Sequence, residues 1–175
     1  MTTFETPRLI LRPWREEDGP ELERLFGDPA VRGGRALTPE RIAGFAESSL
    51  SQWRRNGFGP WAVIDKATGA WIGRAGLDEL DDWPEADKVE VGFELHQAWW
   101  GRGIATETAL AALRFGFEHQ RLDRIISVTA ATHLAARQVM EKAGLTYQGT
   151  RHWKSPEVAV VWYAIDRRRW EARST

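Results

Sequence analysis

The chain has 175 residues, of which 42% are hydrophobic and 28% are charged. This length allows one domain with a full core, and the composition excludes a largely disordered chain. The 24 basic and 25 acidic side chains give a net charge of −1, so no overall charge attracts nucleic acid. Cysteine is absent, which excludes disulfides, thiolate metal ligands and cysteine nucleophiles. We expect a single domain over residues 1–175.

No segment of the sequence is typical of membrane insertion or secretion. The longest apolar run, residues 158–165, is far shorter than the ~20 residues that a membrane helix needs. Residues 1–8 lack the apolar region of a signal peptide. We therefore expect a cytoplasmic protein that binds neither membranes nor nucleic acid.

The N-terminal third predicts one strand followed by two helices. Apolar and basic residues alternate up to Pro13, and apolar residues then recur at helical spacing. Thr38 before Pro39 is a typical helix start, because proline suits the first helical position. The predicted elements are a strand at residues 9–13 and helices at residues 16–26 and 39–53.

The middle of the chain predicts three strands. Turn residues 66–69 join two apolar segments, residues 61–64 and 70–77, as an antiparallel hairpin. In the third strand, residues 89–96, alternate side chains face opposite sides of the sheet. One side is apolar, and the other carries three ionisable groups: Glu90, Glu94 and His96.

The C-terminal half alternates between helical and strand patterns. Helices are predicted at residues 104–119 and 133–143, and strands at residues 125–130, 147–150 and 158–165. The whole pattern predicts a mixed α+β domain.

A glycine turn between a predicted strand and a predicted helix is the most informative segment. Gly101 and Gly103 allow close approach of the backbone, and the free N–H groups at a helix start favour phosphate. The dinucleotide fingerprint would require a third glycine or alanine where Thr106 stands, and the P-loop requires a glycine-lysine pair that the chain lacks. A plain connection remains the alternative to a phosphate site.

This segment resembles the acetyl-CoA pyrophosphate loop of the GNAT acyltransferases. That loop has Gln or Arg, two residues, Gly, any residue, and Gly or Ala; Gly103 and Ala105 match its last two positions. Trp100 stands at the first position, as in the branch of ribosomal-protein N-terminal acetyltransferases. Further blocks similar to that branch are residues 6–13, 57–63, 72–77 and 139–145. The resemblance spans residues 6–166.

The resemblance implies both a fold and an activity. The fold would be a mixed, mostly antiparallel twisted sheet of about seven strands, splayed in the middle and flanked by about four helices. The activity would be transfer of an acetyl group from acetyl-CoA, without a metal, to a primary amine that attacks the thioester directly. The acceptor would be a small molecule or a peptide or ribosomal-protein N-terminus.

The resemblance also implies which residues contact coenzyme A. Backbone N–H groups near Phe93 and Leu95 would polarise the thioester carbonyl. From their positions, His133 at the start of the last predicted helix and Arg137 one turn later could also contact the ligand, or could simply be exposed side chains. The phosphate contacts would come from Trp100, Gly101, Arg102, Gly103, Ile104, Ala105 and Thr106.

Two departures from the family pattern leave an alternative function open. His133 and Ala136 stand where many members have an asparagine and, three residues later, a small polar residue. Met140 stands where many members have a tyrosine that protonates the leaving thiolate. A domain that binds acyl-CoA, or regulates through it, with little catalysis is therefore the alternative to an acetyltransferase.

The candidate general bases are Glu90, Glu94 and His96, although all three could simply be solvated on an open sheet face. At neutral pH, deprotonation costs roughly 1 kcal/mol for an α-amine with a pKa near 7.8 and about 4.6 kcal/mol for a lysine. A weak base would therefore suffice for an α-amine.

The acceptor side is expected near the acidic stretch at residues 78–87. Trp83, one of ten tryptophans, interrupts this stretch and could contact the acceptor together with Glu90. The acidic side chains could attract a cationic amine, or could form a solvated loop. An exposed aromatic strand near Trp162 could pair two copies as a homodimer.

Overall fold

The computed structural model describes residues 2–32, 36–154 and 157–173. Eight strands form one sheet in the order β1-β2-β3-β4-β5-β6-β8-β7. The strands are β1 (Phe4–Glu5), β2 (Leu9–Pro13), β3 (Pro60–Asp65), β4 (Trp71–Glu79), β5 (Val89–Leu95), β6 (Arg124–Ala130), β7 (Thr146–His152) and β8 (Ala159–Asp166). The helices are α1 (Gly19–Gly27), α2 (Pro39–Asn56), α3 (Ile104–Arg114), α4 (Leu134–Ala143) and α5 (Arg167–Arg173).

The α+β class and the order of the main elements are confirmed, and the counts differ from those expected. The described chain has eight strands and five α-helices, where about seven and about four were expected. β1 has only two residues, too few to show a period, and α5 is a run of charged residues around Trp170. The predicted helix at residues 104–119 ends as α3 at Arg114 and continues as a π-helical turn.

The sheet is antiparallel except where β5 meets β6. These two strands run parallel and share the single register pair Glu90 and Ile126. Ser127 Oγ of β6 also donates to the Val91 carbonyl of β5, over 2.8 Å. Beyond these contacts the strands diverge, and a cleft opens in the middle of the sheet.

The two faces of β4 differ in chemistry because successive side chains point to opposite sides. Ala75 belongs to the main hydrophobic core, which includes Leu113 of α3. Arg74 points to the other face, where its guanidinium lies 4.6 Å from the ring centre of Phe45 in α2. A charged patch therefore lies beneath the N-terminal helices.

Candidate active site

A cleft of about 830 Å³ lies between the diverging ends of β5 and β6. Residues from β4, β5, β6 and α4, and from the segment after β7, line it. They include Arg74, Glu90, Gly92, Phe93, Glu94, Ser127, Thr129, His133, Met140, Trp153 and Lys154.

The backbone of β5 presents polar groups to this cleft. The Val91 carbonyl points toward β6, since it accepts a hydrogen bond from Ser127. Alternate residues of a strand direct their backbone groups the same way, so the N–H of Phe93 also faces β6, where the strands have separated. An N–H in this position can polarise a carbonyl oxygen in the cleft.

Glu90 lies where β5 leaves β6, half-buried in the wall of the cleft. Burial and the neighbouring Asp78 raise the pKa of Glu90 to about 8. The opposing effects, from the Arg74 charge and a hydrogen bond donated by the Val128 N–H, are smaller than the burial effect. In the described part of the chain, no cation lies within ion-pairing distance of the Glu90 carboxyl.

Arg74 organises the other two carboxylates of the patch. Its side chain is 5% exposed and forms ion pairs with Asp78, at 2.5 Å, and with Glu94, at 2.6 Å. Burial alone would lower the pKa of Arg74, but these carboxylates raise it above the ordinary value. The guanidinium crosses Gly92, where a Cβ would lie 3.3 Å from Nη1. The sequence reading missed Arg74, although the spacings Arg74-x-Gly76-x-Asp78 and Glu90-x-Gly92-x-Glu94 carry its signal.

The three candidate bases are in different surroundings. Glu90 and Glu94 both line the cleft, but the Glu94 carboxylate is held in the ion pair with Arg74. His96 lies roughly 20 Å along the chain from Glu90, from the rise of an extended strand. Its ring packs against Trp71, with centroids 5.6 Å apart, and mainly burial lowers its pKa. The structure thus brings Glu90 and Glu94 to the cleft, and places His96 beside α1.

The predicted phosphate loop has the geometry of an anion site. Gly101 and Gly103 adopt φ of +72° and +75°, a region that favours glycine. The first backbone bond of α3 runs from the Glu107 N–H to the Gly103 carbonyl, so the preceding N–H groups have no partner within the helix. Gly103 is the N-cap residue of α3, and in the described structure no side chain caps this helix start. Trp100 is 47% exposed, and its Nε1 donates to the Leu95 carbonyl over 2.7 Å.

The side chains of the loop and of α3 differ in exposure. Arg102 is exposed, and its guanidinium lies 5.1 Å from the ring centre of Trp99. Ile104 is buried in the main core, whereas Ala105 and Thr106 are half-buried. Contacts to phosphate from residues 103–106 would therefore come mainly from the backbone.

The start of α4 brings His133 to the cleft. His133 is the N-cap residue of α4, and its Nδ1 accepts from the Ala136 N–H over 3.4 Å. With Nδ1 as the acceptor, Nε2 is the ring nitrogen left to donate a hydrogen bond. Met140 is buried and also lines the cleft, where it has no proton to donate. Arg137 donates to the Tyr163 hydroxyl and the Ala131 carbonyl, so its guanidinium ties α4 to the sheet.

The tryptophan on the cleft wall is Trp153 rather than Trp83. Trp83 is 2% exposed and packs against Trp153, with centroids 5.1 Å apart, and against Trp162. The Arg151 guanidinium lies 4.9 Å from the Trp83 ring centre and pairs with Glu85. Trp83 as a direct acceptor contact stays a prediction, with this packing as its observed role.

The acidic loop is less negative than its sequence suggests. Most of its carboxylates have a basic partner: Asp78 with Arg74, Glu79 with Arg55, Asp82 with Lys154, Glu85 with Arg151 and Asp87 with Arg124. Apart from Arg74, which is four residues from Asp78, these cations come from distant parts of the chain. The loop is therefore tied to the rest of the fold, and its attraction for a cationic acceptor is weaker than expected.

Among the residues that the structure describes, His, Asp and Glu side chains form no group of three that could hold a metal ion. In the same residues, no helix is long and apolar enough to span a bilayer.

Comparisons with known proteins bear directly on this cleft and loop. Residues 8–146 match the family model described as acetyltransferase (GNAT) domain. The chain belongs to the GNAT acetyltransferase family. FsC-acetyl coenzyme A-N(2)-transacetylase of Aspergillus fumigatus is 30% identical, over 96% of this chain and 77% of the relative.

Two solved structures share the fold. The acetyltransferase from Agrobacterium tumefaciens is 27% identical with a TM-score of 0.82, over 93% of this chain and 94% of that chain. Ribosomal-protein-S5-alanine acetyltransferase from Vibrio fischeri has a TM-score of 0.76 at 17% identity, over 97% and 99% of the chains.

As a GNAT enzyme, the protein is an N-acetyltransferase that uses acetyl-CoA. The residues present fit this ligand. The two left-handed glycines and the uncapped start of α3 suit a diphosphate, and the gap between β5 and β6 can take the pantetheine arm.

Proposed function

We propose that the protein transfers the acetyl group of acetyl-CoA to an amine of low pKa, such as an α-amine, with Glu90 as the general base. The observation that carries this proposal is the position of Glu90, half-buried in the cleft where β5 separates from β6. Acetyl-CoA supplies the thioester carbonyl that the amine attacks. The N–H groups of Phe93 and Leu95 would stabilise the charge on its oxygen.

The pKa of Glu90 supports an α-amine acceptor. A carboxyl with a pKa of about 8 is a much stronger base than an ordinary one once it is ionised. Its proton affinity matches that of an α-amine, whose pKa is near 7.8, and lies well below that of a lysine, near 10.4. Glu94 is less suited to this role because its carboxylate is paired with Arg74.

Two acceptor types, a small-molecule amine and a protein N-terminus, can present an amine of low pKa. The names of the relatives described above, an N(2)-transacetylase and a ribosomal-protein-S5-alanine acetyltransferase, are compatible with either type. Membership of the ribosomal-protein N-terminal branch is part of this proposal. Trp153 and Lys154 of the cleft wall would contact the acceptor.

His133 would serve coenzyme A or its leaving thiolate. It lines the cleft, and its Nε2–H is a donor that the helix cap leaves free to act. Since Met140 cannot supply a proton, His133 is the better placed of the two residues.

We infer a cytoplasmic enzyme in which one domain spans residues 1–175. A homodimer would use the outer part of the sheet near Trp162, which is half-buried in β8 between β6 and the edge strand β7.

The decisive experiment measures release of free coenzyme A thiol from acetyl-CoA over a panel of amines. The panel contains alanine-initiated peptides, the same peptides with a blocked N-terminus and one free lysine, and small-molecule amines. We expect turnover with free α-amines, and about a 100-fold lower kcat/KM in Glu90→Gln. Turnover only with lysine side chains would reject the α-amine proposal. Binding of acetyl-CoA without turnover of any amine would support the acyl-CoA-binding alternative.

A further inference from the structure

Arg8 and Glu107 form a contact between the N-terminal segment and the phosphate loop. They are 99 positions apart in the sequence, and the Arg8 Nε lies 2.6 Å from the Glu107 carboxylate. The same guanidinium donates from Nη1 to the Arg102 carbonyl over 2.9 Å. Arg8 thus holds both the loop and the first turn of α3.

Three donors hold the Glu107 carboxylate on the side of the N-terminal segment. The Thr6 hydroxyl donates to it over 2.6 Å, the Arg8 backbone N–H over 3.2 Å, and the Arg8 Nε over 2.6 Å. Burial alone would raise the pKa of Glu107, but the bonds from Thr6 and Arg8 lower it. Glu107 is therefore ionised at neutral pH, and its charge lies within one turn of the helix start.

An ionised carboxylate at this place opposes the binding of a diphosphate. A negative side chain in the first turn is attracted by the same N–H groups and dipole that attract phosphate. Glu107 does not cap the helix here, because Thr6 and Arg8 take its oxygens. The N–H groups at the start of α3 therefore stay available.

Gly103 of the loop also lies close to Arg8. Arg8 Nη2 lies 3.6 Å from the position that a Cβ on Gly103 would occupy. The guanidinium therefore lies against the left-handed turn, where it is close to both Gly103 and the Arg102 carbonyl.

We propose that Arg8 is a positioning residue for coenzyme A. It neutralises Glu107, keeps that carboxylate off the start of α3, and fixes the Arg102 carbonyl, so that the loop is open to the diphosphate before the ligand arrives. Thr6 supports Arg8 by binding the second oxygen of Glu107. This role rests on residues 101–106 as the diphosphate segment and is independent of the identity of the acceptor and of the base.

The test measures affinity for coenzyme A and for acetylpantetheine, which has no diphosphate, by calorimetry and ligand competition. In Arg8→Gln we expect about a 10-fold weaker affinity for coenzyme A, consistent with loss of a charge-assisted bond, and less than about a 2-fold change for acetylpantetheine. Arg114→Gln is the matched control, since it removes a positive charge from the other end of α3, 60% exposed. It should change neither affinity.

A double variant separates positioning from direct contact. If Arg8 acts by neutralising Glu107, then Arg8→Gln with Glu107→Gln recovers most of the affinity that Arg8→Gln alone loses. No recovery would mean that Arg8 contacts the phosphate itself, and would overturn the positioning role. An equal loss for both ligands in Arg8→Gln would also overturn it, because that pattern indicates a general defect of the fold. Arg8→Lys, which keeps the charge but has a single donor group, should lie between wild type and Arg8→Gln.

Discussion

Asp78 and Glu90 lie directly opposite each other across the antiparallel pair β4 and β5. Two carboxyl side chains in this position repel each other when both are ionised. The ion pair with Arg74 stabilises the ionised form of Asp78. The Asp78 charge then makes ionisation of Glu90 less favourable, which contributes to the raised pKa of Glu90. This pair connects the buried ionic patch to the proposed chemistry.

Asp78→Asn should shift the pH dependence of the reaction. Removing the Asp78 charge favours the ionised form of Glu90, and it also leaves Arg74 freer to interact with that carboxylate. The acidic limb of kcat/KM should therefore move to lower pH by about one unit. The measurement is a pH–rate profile with an accepted amine. Asp87→Asn, which removes a carboxylate paired with Arg124, is the control and should leave the limb in place.

Glu90→Gln should remove a loss of stability at alkaline pH. The pKa of Glu90 is raised from 4.5 to about 8, so between these values the folded chain keeps a proton that the unfolded chain has released. Stability therefore falls as pH rises through this window, and the full cost is present above pH 8. Since Glu90 is partly exposed, we expect a cost of roughly 2–4 kcal/mol.

Urea unfolding of wild type and Glu90→Gln at several pH values checks this prediction. The two proteins should have similar free energies of unfolding near pH 4.5, and the variant should be the more stable at pH 9. A difference that does not vary with pH would contradict a raised pKa for Glu90.

Gly92→Ala should destabilise the fold and disturb the ionic patch. A Cβ at this position would lie 3.3 Å from Arg74 Nη1, and the guanidinium cannot move easily because Asp78 and Glu94 both hold it. We expect about 1–2 kcal/mol of destabilisation, as for other small overpacked sites. Gly44→Ala in α2 is the matched control. A Cβ added at Gly44 would have no neighbouring side chain within 4 Å, and alanine favours the helical conformation. The free energy of unfolding should rise in Gly44→Ala. A similar rise in Gly92→Ala would contradict the prediction.

Trp153→Ala and Trp83→Ala should have different effects. Trp153 lines the cleft, so its removal should raise the KM for the acceptor about 10-fold and leave the KM for acetyl-CoA unchanged. Trp83 is buried against Trp153 and Trp162, so its removal should cost about 3 kcal/mol of stability. Steady-state kinetics and thermal unfolding of both variants provide the test. A change of acceptor KM in Trp83→Ala alone would assign the acceptor contact to Trp83.

The elements that were predicted correctly have local signals. β5 alternates apolar and polar residues over its whole length, and α3 begins directly after two glycines. These patterns depend on neighbours within a few positions, because strand period, helix period and turn conformation are properties of short segments. The placement of Glu90 and Glu94 on one face of the strand could be predicted from the sequence for the same reason.

The surroundings of these residues depended on contacts between distant segments. Only the fold shows that β6 leaves β5 after Glu90, that Arg74 crosses Gly92 to reach Asp78, and that Arg8 holds Glu107. The acidic loop likewise has basic partners that its own sequence does not reveal.

The sequence by itself determined the class of the protein, the order of its main elements and the residues that carry charge. The tertiary structure alone decided which of those charges are neutralised and which lies in the cleft. The physical reason is that electrostatic and packing energies depend on distance in space and on burial, and chain separation determines neither. Glu90 and Glu94 are the same residue type on the same face of one strand. Only the position of Arg74 makes Glu94 an ion-pair partner and leaves Glu90 as the candidate base.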